Sequence, residues 1–282
     1  LCDITKLNYR LGQLIIIILG GALMATGLMA GKKGLIMGVA NQKSIAWNIA
    51  ERLKEEGAEL AFTYQNEQIG ERVIPLFESI EAKFYQTLDV TSDEDFDKVF
   101  SELADAFDGE LDFIVHAIAG GPAKGDLSGM YLETSRDSFS RALEISVYSF
   151  VKAVQSAYPM MKEKGGSAVT MSYYGAEKVV PNYNVMGVAK SALESSVRYL
   201  AADLGETNIR VNALSPGPVL TRAASGIGDF RNMLKEFAEK TPMKRLVEKE
   251  EIAANTLYLL SDLSSGVTGE IIHVDGGYNV KA

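Results

Sequence analysis

The chain has 282 residues, 47% of them hydrophobic and 23% charged, which suffices for one large core and a single catalytic domain. A formal net charge of -9 without any clustered block of Lys and Arg argues against a nucleic-acid surface. Cys2 is the single cysteine, which excludes an intrachain disulfide, and the two histidines, His116 and His273, lie far apart without nearby thiols and give no zinc spacing. The expected chemistry is organic, with a diffusible cofactor and no metal.

Residues 1–26 differ in character from the rest. Lys6 and Arg10 precede the apolar run LIIIILGGALMA, which has the look of a positive n-region and h-region but is too short for a membrane span. The expectation is a non-native or mis-assigned upstream extension with a true start near Met24, in preference to a targeting or membrane segment. Residues 27–282 form the catalytic domain, and no membrane association is expected of it.

From Lys33 onward, short apolar runs alternate with amphipathic helices, the pattern of a parallel sheet covered on both faces. GLIMGV is the first strand. The helix from Ser44 to Glu56 carries Ile45, Ile49 and Leu53 four apart and ends at Gly57, and the second strand, ELAFTY, follows. A helix over 67–79, a strand at AKFYQTLDV, an acidic-capped helix from Ser92 to Phe107 and the strand LDFIVHAIAG continue the alternation. A long helical region over 137–163 leads to the strand-like run SAVTMSYYG. The next helix is expected to carry Tyr183 and Lys190 and to bury Met186, Ala189, Leu193, Leu200 and Leu204. NIRVNALS and EIIHVDGG are the sixth and seventh strands. With no repeat, low-complexity tract or linker, the prediction is a single doubly wound α/β domain of the Rossmann type, with ligands at the carboxyl ends of its strands.

The turn after the first strand, GVANQKSIAWNIA, stands where such a fold offers backbone N–H groups and a helix N-terminus to a pyrophosphate. It is not a full GxGxxG: Gly38 alone marks the turn, with Ser44 and Ala46 where further glycines are expected. The Ser44 hydroxyl can cap the helix or bond a phosphate. At the tip of the second strand, Gln65 can bond a ribose hydroxyl, Glu67 would repel a 2′-phosphate, and no Lys or Arg lies between Tyr64 and Gly70. NADH is therefore expected over NADPH. Asp89 and Val90 end the third strand and Ile118 to Gly121 the fourth, positions that flank adenine and the nicotinamide ribose.

Tyr183 and Lys190 stand seven residues apart in YNVMGVAK, two helical turns, and share one face. A phenol beside an ammonium makes a device for proton delivery and oxyanion stabilisation, since the cation would lower the phenol's pKa.

Together with the second tyrosine in SYYGAE, the segment PNYNVMG, the stretch LSPGPVLTRAASGI and the ending HVDGGY, this spacing resembles the enoyl-acyl-carrier-protein reductases, a divergent branch of the short-chain dehydrogenase/reductase superfamily. Ordinary members of the superfamily space their tyrosine and lysine four apart. The resemblance runs from about Gly27 to the C-terminus and implies an NADH-dependent reduction of trans-2-enoyl thioesters. It makes Tyr183 the donor to the thioester oxygen, Lys190 the holder of the nicotinamide ribose, and Tyr173 a second active-site tyrosine that positions substrate or assists proton transfer. The superfamily's catalytic serine has no clear equivalent, because the side chain of Ser172 should point away from that of Tyr173.

By the same resemblance Gly38, Ser44, Ile45, Gln65, Asp89, Val90, Ile118 and Lys190 hold the cofactor, as does the run Val219, Leu220, Thr221, Arg222 and Ala223, while Gly121 contacts substrate. AGGPAKG at 119–125 departs from the form usual in the family, with Ala119 and Gly120 where a glycine and a bulky aromatic are common. Residues 221–237 read as a lid over the acyl chain. Lys235, Lys240, Lys244, Arg245 and Lys249 are candidates for meeting acidic acyl carrier protein. The resemblance also implies a homotetramer in the cytoplasm. The rivals are a β-ketoacyl reductase of the same superfamily and a non-catalytic NAD-sensing protein.

Overall fold

The computed structural model describes residues 26–219 and 230–281. Among these residues seven strands form one wholly parallel sheet: β1 (Lys33–Met37), β2 (Glu59–Tyr64), β3 (Phe84–Thr87), β4 (Phe113–His116), β5 (Gly166–Met171), β6 (Ile209–Pro216) and β7 (Ile271–Val274). Their spatial order is β3-β2-β1-β4-β5-β6-β7. Leu35 pairs with Ala61 on one side and Ile114 on the other, so the order reverses at β1 and opens a crevice beyond the carboxyl ends of β1 and β4.

Alternation along the strands feeds two cores. Leu35 and Met37 face α3 (Asp93–Ala106), α5 (Ser149–Met161) and α6 (Val185–Leu204), and pack with Phe96, Phe150 and Leu193. Ile36 faces the opposite layer of α1 (Ile45–Glu55), α2 (Glu67–Ser79) and α8 (Lys249–Leu260), where Trp47, Phe62, Phe77 and Ile252 are buried. Phe62 and Phe77 stack with centroids 4.1 Å apart. The predicted helix starts have physical caps: the Asn66 and Ser92 side chains accept from the N–H groups of Ile69 and Asp95.

Three expectations are corrected. The third, fourth and fifth strands stop short of the ends of the runs that announce them: their last ladder pairs are Thr87 with Tyr64, His116 with Met37, where Gly38 turns the chain away, and Met171 with Leu214. Asp89, Val90, Ile118 to Gly121 and Tyr173 consequently lie in the loops just past their strands. The single helical region over 137–163 is instead α4 (Arg136–Leu143), a π-helical turn (Glu144–Tyr148) and α5. Tyr183 is not helical: α6 begins at Val185, after Asn182 and Asn184 adopt positive φ of 60° and 39°. Along α6, Leu200 and Leu204 are only half-buried, and Lys190 and Glu194 are buried in addition to the expected apolar positions.

Candidate active site

Two adjoining hollows, of about 630 and 570 Å³, follow the crevice. The first is lined by Gly38, Gln65, Asp89, Val90, Ile118 and Gly121, the second by Gly38, Ser44 and Ile45, so cofactor candidates scattered over the sequence share one cleft. Gly38 has φ +102°, and a Cβ there would lie 2.3 Å from the Ala117 carbonyl oxygen, so only glycine fits this turn. The Ser44 hydroxyl accepts from the N–H groups of Ala40 and Asn41, both at 3.1 Å. It thus closes the turn and makes no bond to its own helix, leaving Ile45 and Ala46 to open α1 against the second hollow. A glycine turn, a helix N-terminus and a strand tip without a cation between Tyr64 and Gly70 fit a dinucleotide.

Arg72 on α2 also lines the second hollow, and Arg141 on α4 lines the first. Attention to residues 64–70 alone passes over Arg72, although it lies one helical turn beyond Gln68 on the face that lines the hollow. Val219 is buried with the α8 core. Leu220, Thr221, Arg222 and Ala223 lie outside the described residues, as do residues 1–25 and most of the proposed lid. Of the lid's end, α7 (Phe230–Lys240) is present, with the Phe237 ring stacked 3.7 Å from that of Tyr278.

Tyr173 and Tyr183 meet edge to face, with centroids 4.9 Å apart and planes at 67°. Gly175 makes this contact possible, since a Cβ there would come within 2.6 Å of the Tyr183 ring. Burial, then the Tyr173 phenol, pushes the Tyr183 hydroxyl above its ordinary value; burial, then Tyr278, pushes Tyr173 up to about 12. Lys190 is 3% exposed and its Nζ donates to the Met171 carbonyl oxygen at 2.7 Å. Burial pushes Lys190 down to about 8, against the opposing pull of Glu194. The expectation that Lys190 lowers the Tyr183 pKa is therefore reversed: desolvation dominates, and Tyr183 remains a neutral O–H donor at physiological pH.

Beneath this group His116, fully buried, lies 3.0 Å from Thr170 Oγ1 through Nδ1 and 2.8 Å from Ser149 Oγ through Nε2. Ser149 in turn donates to the Ile145 carbonyl at 2.7 Å, and Thr170 to the His116 carbonyl at 3.2 Å. Burial, reinforced by Lys190, pushes His116 down to about 3, so the ring is neutral. One turn away, Ser146 both accepts from Gly120 N–H and donates to Gly120 C=O, each at 3.1 Å. The π turn thus braces the Ala119–Gly121 loop and puts Ile145 in the cleft wall. No periodicity in the sequence marks His116, Ser146 or Ser149.

Much of the basic patch is engaged. Arg245 makes a forked pair with Glu251 at 2.7 and 2.8 Å, and Lys244 and Lys249 donate to the carbonyls of Glu239 and Lys43. Lys235 and Lys240 are exposed on α7.

The model of the enoyl-(acyl carrier protein) reductase family matches residues 38–279. The chain is 56% identical over 255 residues to an NADH enoyl-[acyl-carrier-protein] reductase of Rhizobium meliloti, covering 90% of this chain and 93% of that one. It is similar to the crystal structure of the enoyl-(acyl-carrier-protein) reductase of Anaplasma phagocytophilum in complex with NAD, with a TM-score of 0.86, 51% identity, and coverage of 90% and 95%. The Bacillus cereus enoyl-acyl carrier protein reductase, crystallised with NADP+ and an indole naphthyridinone, gives a TM-score of 0.87 at 44% identity, covering 90% of this chain and 99% of that one.

Proposed function

The chain belongs to the enoyl-(acyl carrier protein) reductase family, and from that premise we propose that it reduces trans-2-enoyl thioesters on acyl carrier protein to saturated thioesters with NADH, the last reductive step of bacterial fatty acid elongation. The observation that carries the reading beyond family membership is the half-buried, protonated Tyr183 set edge to face against Tyr173, with Lys190 anchored on the Met171 carbonyl at the end of β5. NADH, when bound, supplies the hydride that is added to the β-carbon of the enoyl thioester.

Gly38, Ser44 and Ile45 hold the pyrophosphate, Gln65 the adenosine ribose, Asp89 and Val90 the adenine, and Ile118, Lys190 and the run from Val219 to Ala223 the nicotinamide end. Gly121 offers its backbone to the substrate. Tyr183 donates its O–H to the thioester oxygen as negative charge develops there, a contribution of about 3–4 kcal/mol to the barrier. Tyr173 positions the thioester or assists proton transfer. Gln65 and Glu67, both exposed at the tip of β2, favour NADH over a cofactor with a 2′-phosphate. Lys235 and Lys240 are the remaining docking candidates for acyl carrier protein. No helix among the described residues is long and apolar enough to cross a membrane. A cytoplasmic homotetramer completes the reading. The test is NADH consumption with crotonyl and acetoacetyl thioesters: oxidation is expected with the first, whereas turnover of the ketoacyl thioester alone would assign a carbonyl reductase.

A further inference from the structure

Two side chains one turn apart on α6 tie down the last residues before Tyr173. Lys190 Nζ donates to the Met171 carbonyl at 2.7 Å, and four residues on, Glu194 Oε1 accepts from the Ser172 hydroxyl at 2.5 Å. All of these groups are withdrawn from water: Lys190, Ser172 and Glu194 are 3%, 4% and 8% exposed. A carboxylate buried this deeply is costly unless a charge or a hydrogen bond compensates it. Glu194 has the hydrogen bond, from Ser172, and Lys190 stands one turn back on the same buried face of α6, beyond the 4 Å of a direct ion pair.

We propose that Glu194 is a positioning residue for the active site, the counter-charge that keeps buried Lys190 an ammonium and, through Ser172, the anchor that fixes the segment carrying Tyr173. The inference rests on the reading of Lys190 as the ribose holder. The charged and titratable groups around Glu194 come from each neighbouring element. Arg198 follows one turn later on α6, Glu177 closes the turn after Tyr174, and His273 on β7 lies 2.6 Å from Glu177 through its Nε2. Burial raises the Glu194 pKa first and Glu177 adds to the rise, while the Ser172 bond, Arg198 and His273 oppose it. On Lys190 the effect of Glu194 is upward, against the burial that holds it near 8. A group poised there is sensitive to loss of its partner: the charged fraction falls steeply at mildly basic pH.

Glu194→Gln keeps an oxygen to accept from Ser172 but removes the charge. Two measurements on Glu194→Gln, Ser172→Ala and the parent enzyme test the assignment. The first is an NMR titration of ¹³Cε-lysine-labelled protein, with the Lys190 signal identified by its loss in Lys190→Ala. The second is the NADH dissociation constant across pH 6 to 9. In Glu194→Gln the Lys190 midpoint is expected to fall by about one pH unit, and NADH binding to weaken roughly fivefold at pH 8 with little change at pH 6. Glu194→Asp should restore much of the parent profile. A Lys190 titration that superimposes on the parent's in folded Glu194→Gln, or an affinity loss equal at every pH, overturns the proposal. If the titration moves but NADH affinity follows Lys190 in no variant, the ribose contact fails while the Glu194–Lys190 coupling stands.

Discussion

Tyr183 has to give a hydrogen bond to a developing enolate, and its surroundings keep it able to do so. Burial holds the phenol protonated, so the proton is available when charge appears on the thioester oxygen. Tyr183→Phe is expected to lower kcat roughly 10²–10³-fold, with the NADH dissociation constant unchanged by fluorescence titration; an undiminished kcat would remove the residue from the mechanism. Lys190 carries the opposite burden. Its folded value, near 8, lies below the ordinary 10.5, so between those values the unfolded chain holds a proton the native protein gives up. Stability from this group therefore rises with pH through that window, and at neutral pH burying the ammonium costs roughly 3 kcal/mol. Lys190→Met, which keeps the stem but loses the bond to Met171, is expected to weaken NADH binding in a fluorescence titration, and an unchanged dissociation constant would count against the ribose contact. The residue types and spacing of this pair are legible in the sequence. The direction of the Tyr183 pKa is not, because it depends on how much water the fold removes from each group.

At the scale of elements, the crevice depends on where strands stop. Gly38 ends β1 with a φ that other residues resist, and its missing Cβ leaves room for the Ala117 carbonyl. Gly38→Ala is expected to destabilise the protein by about 1–3 kcal/mol and to raise the NADH dissociation constant, read by thermal unfolding and by fluorescence; a variant as stable and as tightly binding as the parent would contradict the role given to this turn. The helices α1, α2 and α3 were readable because each combines an apolar stripe with a polar cap or a closing glycine. Strand ends were not, since apolar residues continue past the last ladder pair. Ile118, for example, still packs on the core from the loop beyond β4. The π turn at Glu144–Tyr148 was likewise hidden, because no residue type in EISVY distinguishes a π turn from an α-helical one. The non-helical Tyr183 follows from Asn182 and Asn184, two residues tolerant of positive φ placed on either side of it.

For the molecule as a whole, the parallel order with its reversal at β1 gathers residues separated by more than a hundred positions into one cleft, with Tyr173, Tyr183 and Lys190 grouped around the end of β5. That architecture is common to many reductases, so the reaction rests on the tyrosine pair and on family membership, not on the fold. The label position in the product tests the central claim most directly. Crotonyl thioester reduced with deuterated NADH in ordinary water is predicted to yield butyryl thioester with deuterium on the β-carbon alone. Deuterium on a carbon bearing a new hydroxyl, or none in the product, would contradict an enoyl reduction at this site.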